Sequence, residues 1–384
     1  MRHRWAPVFS AVFLISAVVG ASEAVSKSLA DIYRKGSIKL VSGATIDESK
    51  LPKDVFFQGV TDVKCDPQGN IYVCDFQANH ILKFDGTGKY LKSIGRQGQG
   101  PGEFNMPYRI AVTADRLFVY DVRNSRLSAL TLDGTFVKSV PLITGEGRPE
   151  DMSSLPGGDI VFGWETIFFG DRSRPQEYSI RIYSPDLTLR KKIYSRDLWR
   201  NKYMEIDGRF SNIIQPFSPV VSWDVSADGK IAVGDQKDYE VEILDPAKGN
   251  ISSFQHAYEP VKVTAKDKEE FFAGMTYGSM EGGVKQGAPD SIVKNTEFPK
   301  DKPPFYNLAV DSDGNILVFP HRKNKVEELK YFEAFSPDGK FIGAVKIEGA
   351  VPMPRRVVIR DGVFWATSAD EDGVIRLVKY RISE

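Results

Sequence analysis

The residues most able to bind a ligand are polar side chains at the start of a strand pattern that recurs along the chain. Arg109 and Arg356 suit a carboxylate, phosphate, sulfate or acidic peptide, because a planar guanidinium matches the geometry of such anions. Tyrosine, hydroxyl and amide groups beside them would add hydrogen bonds. The predicted ligand-binding set is Asp62, Tyr108, Arg109, Ser222, Tyr306, Asn307, Arg355 and Arg356.

These side chains are expected to ring the mouth of a central channel, where polar groups converge in a concave space. A structural role is an equal alternative, because polar residues also fill such channels with water and mutual salt bridges. The residue types therefore place a candidate site without deciding its use.

Three histidines are the next candidates for chemistry. His80, His256 and His321 are expected on one face but at different distances from the channel, which argues against a shared metal site. A lone catalytic His256 or His321 is a minor alternative.

Two Asp/Asn pairs look catalytic by residue type but recur with the strand pattern. Asp75 precedes Asn79, and Asp121 precedes Asn124. Short Asx side chains hydrogen-bond their own turns, so a structural role is predicted for both pairs. The glycine-rich run at 98–102 precedes no predicted helix, unlike a phosphate-binding loop.

The elements that must position these residues are clearest in residues 62–95. Apolar and polar residues alternate in three successive runs, and Asp-Pro-Gln-Gly-Asn and Asp-Gly-Thr-Gly turns separate them. Alternation between tight turns predicts short antiparallel strands, and four of them make a meander of one propeller blade.

The pattern recurs six times, and its last copy is incomplete. The sixth unit supplies only three strands before the chain ends, which would leave an open edge. An isolated strand at 38–41 can fill the missing place, and closing a ring with strands from both termini removes that edge. The prediction is an all-β fold, a six-bladed β-propeller of four-stranded antiparallel blades closed by an N-terminal strand, with one helical insertion.

Residues 59–95 read GVTDVKCDPQGNIYVCDFQANHILKFDGTGKYLKSIG, and residues 98–112 read GQGPGEFNMPYRIAV. This run resembles the NHL repeat of six-bladed β-propellers, and YNLAVDSDGNILVF and VSWDVSADGKIAVGD match it less fully. The resemblance covers the mature chain, most weakly in blade three. It implies the fold more than an activity, because such propellers include enzymes, receptors and binding scaffolds.

The resemblance also raises metal chemistry. Six-bladed lactonases hold a divalent cation around the channel, and Asp62, Asn307 and either Glu150 or Asp151 would imitate that ligand set, which suits calcium. The neighbouring arginines argue against it, because fixed positive charges repel a cation. The NHL-type amidating lyases use channel histidines for zinc, and no channel-mouth position here is histidine. No cofactor is therefore predicted, with calcium as the alternative.

The long loops are predicted to share one face of the propeller, which carries the channel mouth. They comprise residues 96–108, 165–177, 195–215, 258–304 and 320–327. Loops longer than a scaffold needs usually carry function. In the insertion at 258–304, Thr264 and Asp267 form a capping box that begins a helix at Ala265, expected to run to about Met280.

The N-terminus reads as a secretory signal peptide. A basic start is followed by a short apolar run and small residues, which predicts export to the periplasm or beyond. The predicted organisation is a signal peptide at 1–24, a lead-in at 25–36 and the propeller at 37–384. In an oxidising compartment Cys65 and Cys74 can pair. If the turn pairs Asp66 with Ile71, Cys65 lies opposite Tyr72 and Cys74 is its diagonal neighbour on the same face of the hairpin. A strained disulfide and two free thiols are then equally open.

Charge and composition limit the partners. The 51 lysines and arginines balance 51 aspartates and glutamates, so no electrostatic attraction to nucleic acid is expected. The chain is predicted to be a monomer without a transmembrane segment in its mature form. The predicted function is binding of a partner protein or an anionic or sugar-like ligand through the looped face, rather than catalysis. The alternative is a metal-dependent hydrolase or lyase acting in the channel.

Overall fold

The chain is a six-bladed β-propeller. The computed structural model describes residues 28–55, 57–142, 147–166, 175–198, 201–206, 209–279, 283–323, 328, 330–348, 357–360, 363–369 and 375–383. The predicted signal peptide, Arg355 and Arg356 lie outside these residues.

The chain begins with a short helix and a strand that belongs to the last blade. Helix α1 (Leu29–Tyr33) is capped by Ser28, whose hydroxyl accepts a hydrogen bond from the Asp31 amide. Strand β1 (Ser37–Ile46) follows, and a 3₁₀ turn (Glu48–Lys50) leads to blade one.

Blades one, two and three are complete four-stranded antiparallel meanders. Their strands are β2 (Val60–Cys65), β3 (Ile71–Asp75), β4 (His80–Phe84), β5 (Tyr90–Ile94), β6 (Pro107–Val112), β7 (Arg116–Asp121), β8 (Arg126–Thr131), β9 (Phe136–Pro141), β10 (Arg148–Ser154), β11 (Ile160–Thr166), β12 (Gln176–Tyr183) and β13 (Leu189–Leu198).

One extra hairpin precedes blade four, and a second lies between blades four and five. The remaining strands are β14 (Asn201–Ile206), β15 (Arg209–Ile214), β16 (Val221–Val225), β17 (Ile231–Asp235), β18 (Glu240–Asp245), β19 (Gly249–Gln255), β20 (Thr276–Ser279), β21 (Gly283–Gln286), β22 (Phe305–Val310), β23 (Ile316–Pro320), β24 (Tyr331–Phe335), β25 (Phe341–Glu348), β26 (Val357–Arg360), β27 (Val363–Ala369) and β28 (Ile375–Ser383). β14 pairs with β15, and β20 with β21, outside the blades.

The N-terminal strand closes the ring, as predicted. β1 pairs antiparallel with β28, with Lys39 opposite Ser383 and Leu40 opposite Ile382, and so becomes the fourth strand of blade six. Its first residues also pair in parallel with β25, with Ser37 opposite Lys346. Blades five and six are thereby joined into one eight-stranded sheet.

The hydrophobic core is divided among the interfaces between blades. Phe118 of blade two packs in one cluster with Met152 of blade three, and Trp223 of blade four packs with Val161 of blade three. A sheet that buries both faces against neighbouring sheets reads as nearly continuous apolar strands. This explains why every residue of β3 is buried.

The hairpin that carries both cysteines pairs one residue away from the predicted register. Cys65 lies opposite Ile71, not Tyr72, and Cys74 lies opposite Asp62, with a bulge between Val60 and Asp62. A one-residue shift moves a side chain to the other face of a sheet. Both cysteines are free thiols: Cys65 packs toward the blade-six side, whereas Cys74 packs toward blade two.

The insertion at 258–304 begins as predicted and then departs from the prediction. Helix α2 (Ala265–Ala273) starts at the Thr264 capping box, but it ends at Gly274 rather than near Met280. Thr276 and Tyr277 favour a strand, and the β20–β21 hairpin replaces the expected helical continuation. A further helix, α3 (Asp290–Asn295), was not predicted.

Candidate functional site

The innermost strands of the six blades line the channel and contact one another in a closed ring. β2 contacts β6 and β26, β10 contacts β6 and β16, and β22 contacts β16 and β26. Each innermost strand is an edge strand, so one row of its backbone N–H and C=O groups lacks partners within its own blade. The sequence-predicted site residues lie on these strands or directly beside them.

Asp62 provides partners for the free edge of two strands. Its side chain is 1 % exposed, and Oδ1 accepts a hydrogen bond from the Val63 amide at 3.0 Å. Oδ2 accepts from the amide of Ile110, on the inner strand of blade two, at 3.1 Å. Asp62 therefore links two blades through the backbone.

Asp224, which was not among the sequence-predicted site residues, repeats this arrangement between blades four and five. Its Oδ1 accepts from the Val225 amide at 2.8 Å, and its Oδ2 accepts from the Val310 amide at 2.9 Å. Burial raises the pKa of this carboxyl above its ordinary value. Asp224 lies two residues after Ser222 on the same strand face, so alternation could have identified it.

Arg109 is bound to backbone carbonyls of three blades. Its guanidinium donates from Nε to the Glu150 carbonyl at 2.7 Å, and from Nη1 to the carbonyls of Thr61 at 3.2 Å and Tyr108 at 2.9 Å. The guanidinium also lies over the Tyr108 ring, 3.8 Å from its centroid. The side chain is 7 % exposed, and these contacts give it a structural role in the ring of inner strands.

The other predicted channel residues are half-buried and make mostly local contacts. Ser222 Oγ accepts a hydrogen bond from Gln236 Nε2 at 3.1 Å. Glu150 accepts from Arg148 Nε at 2.7 Å, and Asp151 Oδ1 accepts from the Met152 amide at 2.8 Å. Asn307 lies opposite Phe319 in blade five.

Within the described ranges, no group of three or more His, Cys, Asp or Glu side chains is arranged to hold a metal ion. The three described histidines also make separate contacts. His80 pairs across the sheet with Asp75 in blade one, His256 stacks on Phe341 with ring centroids 4.7 Å apart, and His321 contacts Glu328.

The two Asp/Asn pairs make backbone and turn contacts, as predicted. Asp75 accepts hydrogen bonds from the amides of Gln58, at 2.7 Å, and Gly59, at 3.0 Å, and fixes the segment that enters blade one. Asp121 accepts from the amide of Asn105, in the equivalent segment of blade two, and from Asn124 Nδ2.

The looped face carries a cavity of about 540 Å³ beside blade five, which we call the lateral cavity. Two of the predicted long loops meet there: residues 320–323 after β23, and the root of the 258–304 insertion. Its lining residues are Ala257, Tyr258, Glu259, Val261, Pro304, Pro320, His321, Arg322, Lys323, Tyr331 and Glu333.

One wall of the lateral cavity is cationic. The Arg322 guanidinium lies over the Tyr331 ring, 4.2 Å from its centroid. The Arg322 Nε atom is buried and has no hydrogen-bond partner among the described residues. Lys323 is adjacent and exposed. Glu328 fixes the start of this loop, because one oxygen contacts His321 Nδ1 at 3.0 Å and accepts from the Arg322 amide at 2.9 Å.

A second wall of the lateral cavity is acidic and aromatic. Glu333 Oε2 accepts a hydrogen bond from the Tyr239 hydroxyl and lies 4.0 Å from His256 Nε2. Burial, together with the charge of Glu333, raises the pKa of Tyr239 far above its ordinary value. The Tyr258 ring, 41 % exposed, lies 6.1 Å from the Tyr239 ring.

The predicted long loops at 258–304 and 320–327 include most of the cavity lining, but Tyr331 and Glu333 of β24 were not predicted to belong to a site. Two signals were available. A His-Arg-Lys run follows β23 directly, and in β24 the residues Tyr331 and Glu333 alternate with buried Phe332 and Ala334. The sequence could not show that this loop and the distant Tyr258 line the same cavity.

Comparison with known proteins supports the same fold. Residues 52–146 match the sequence profile of a family described as 6-bladed beta-propeller. A search of the curated proteins finds no match. None of the helices within the described residues is long and apolar enough to cross a membrane.

Solved structures of bacterial proteins share the architecture at low sequence identity. A protein from Bacteroides fragilis described as exported is 10 % identical, with a TM-score of 0.54 over 91 % of this chain and 95 % of the other. A Bacteroides vulgatus protein is 14 % identical, with a TM-score of 0.53 over 91 % and 98 %. Virginiamycin B lyase from Staphylococcus aureus is 11 % identical, with a TM-score of 0.43 over 90 % and 99 %. The likeness to the two Bacteroides proteins supports the propeller fold and assigns no activity.

Proposed function

We propose that the protein is an exported, non-catalytic binding propeller that takes a small anionic, sugar-sized ligand through its looped face. The predicted ligand-binding position is moved by this proposal from the channel mouth to the lateral cavity. At the channel mouth, Asp62 and Arg109 already bond backbone groups of neighbouring blades. At the lateral cavity, Arg322 and Lys323 line the wall, and the Arg322 Nε has no hydrogen-bond partner among the described residues.

The proposal depends on the position and the missing hydrogen bond of the Arg322 guanidinium. Its guanidinium is positioned by stacking on Tyr331, and its buried Nε lacks a hydrogen-bond partner among the described residues. A guanidinium held in one orientation binds a carboxylate or phosphate through two parallel hydrogen bonds. The cavity volume of about 540 Å³ is in the range of small-molecule sites.

The aromatic lining supports a ligand with a ring. The rings of Tyr258 and Tyr331 line the cavity with the prolines Pro304 and Pro320. Such sites combine apolar and aromatic walls with a few polar groups that fix the ligand. An acidic sugar offers both a ring for these walls and a carboxylate for Arg322.

Calorimetric titration of the mature protein with D-glucuronate and with D-glucose tests the proposal, because the two sugars differ in the carboxylate. We expect glucuronate to bind at least tenfold more tightly than glucose. Arg322→Gln should remove this preference, whereas Arg190→Gln, at an exposed arginine of blade three, should retain it. Absence of glucuronate binding, or a preference that survives in Arg322→Gln, would overturn the proposal and direct attention to a protein partner on the looped face.

A further inference from the structure

The lateral cavity presents opposite charges on different walls. Arg322 and Lys323 are on the loop after β23, and Glu333 is on β24. No salt bridge within 4.0 Å joins Arg322 to Glu333 in the described part of the chain, where such pairs are otherwise frequent. The two charges therefore face the same space without neutralising each other in direct contact.

The separation of these charges follows from the strand. Arg322 lies over Tyr331, and Tyr331 and Glu333 occupy positions i and i+2 of β24, on one face. Residues two apart along a strand are about 7 Å apart. A ligand that engages both Arg322 and Glu333 must span a distance on this order.

The surroundings of Glu333 suit a cation. Its carboxylate is held by the Tyr239 hydroxyl, and Tyr239 packs beside the exposed ring of Tyr258. Glu259 adds a second acidic side chain to the cavity lining. An ammonium group placed among tyrosine rings and a carboxylate gains from both the ring faces and the opposite charge. A purely anionic ligand would bind at Arg322 but would supply no partner for the Glu333 carboxylate.

We infer that the ligand of the lateral cavity is a zwitterion, with a carboxylate bound by Arg322 and an ammonium group bound by Glu333 between the tyrosines. Amino acids with a distal amino group, peptide ends and amino-bearing sugar acids belong to this chemical class. The inference rests on the proposed function, since it requires an anionic group of the ligand at Arg322. It adds a positively charged group of the same ligand at Glu333.

The test compares three probes of one length on the mature protein: 6-aminohexanoate, hexanoate and hexylamine. In calorimetric titration we expect 6-aminohexanoate to bind at least tenfold more tightly than either of the others. Glu333→Gln, which keeps an acceptor for Tyr239, should reduce 6-aminohexanoate to the affinity of hexanoate and change hexanoate binding less than threefold. Arg322→Gln should weaken both probes at least tenfold.

Controls separate the two proposals. Glu348→Gln, at an exposed glutamate of blade five, should leave all affinities unchanged, and Tyr258→Leu should weaken 6-aminohexanoate alone. Equal binding of 6-aminohexanoate and hexanoate, with both dependent on Arg322, would overturn the zwitterion and leave the anion site standing. Binding of neither probe nor of glucuronate would overturn the proposed function and the inference together. Thermal unfolding of each variant shows whether a loss of binding reflects loss of fold.

Discussion

The Asp62 carboxylate on the inner strand of blade one accepts a hydrogen bond from the Ile110 amide on the inner strand of blade two, at 3.1 Å. Asp224 makes the same type of bond to the Val310 amide between blades four and five. A propeller leaves the inner edge of every blade unpaired, and these aspartates provide acceptors for that edge. These two channel aspartates thus link neighbouring blades of the ring.

Replacing Asp62 should therefore destabilise the whole ring. In Asp62→Ala the Ile110 amide loses its acceptor in a buried place, which costs about 1–3 kcal/mol. Urea unfolding should show this loss in the free energy of unfolding. Asp54→Ala, at an exposed aspartate just before blade one, should change it by less than about 0.5 kcal/mol. Equal stability of Asp62→Ala and the wild type would remove the blade-linking role.

The two cysteines should remain reduced even in an oxidising compartment. They lie on opposite faces of one hairpin, so a bridge would require the β2–β3 register to change. Mass spectrometry after alkylation in denaturant without reductant should find two labelled thiols. In the native protein Cys65 should react before Cys74, because Cys74 is fully buried and burial raises the pKa of its thiol. A chain two mass units lighter than its sequence requires, with no reactive thiol, would contradict this register.

The sequence predicted the parts of the fold that depend on local patterns. Alternation and tight turns located the blade strands, and the incomplete sixth unit predicted that β1 would pair with β28. The α2 cap was also predictable, because the Thr264 and Asp267 side chains bond each other's backbone amides. These features depend on residues close together in the chain or on an exact structural repeat.

The sequence did not predict features that depend on exact strand register or on contacts between distant loops. The turn of blade one closes between Asp66 and Asn70, so Cys65 lies opposite Ile71 rather than Tyr72. The candidate site required Tyr258, at the start of the 258–304 insertion, to line the same cavity as Arg322 of the loop after β23. The channel residues were placed on the right strands, but the sequence could not show that Arg109 would bond backbone carbonyls.

His80 should make stability depend on pH between about 5 and 7. Burial lowers the pKa of His80 below 6.5 in the folded protein, partly opposed by Asp75. A depressed pKa favours the neutral form, so this stabilisation is present above the unfolded pKa and is lost as the pH falls toward the folded value. The loss is at most about 1.4 kcal/mol per pH unit.

Comparison with His80→Leu isolates this effect, because leucine cannot titrate. The free energy of unfolding of the wild type, measured by urea denaturation at pH 7.5 and pH 5.5, should fall more than that of the variant. A difference of the same size in both proteins would show that His80 does not titrate on unfolding in this range.

Removing β1 should open the propeller. Without residues 25–46, β28 becomes an unpaired edge and the link between β25 and β28 is lost. Ile38 and Ile46 are 1 % and 0 % exposed, and burying two such side chains contributes about 3–6 kcal/mol. Because a domain is stable by only about 5–15 kcal/mol, we expect the truncated chain to lose cooperative unfolding and to aggregate.

A chain that begins at residue 28, with α1 and β1 intact, should melt like the full-length chain. Addition of a peptide of residues 28–46 should restore the transition to the truncated chain. An unchanged melting temperature without β1 would mean that the other blades close the ring by themselves.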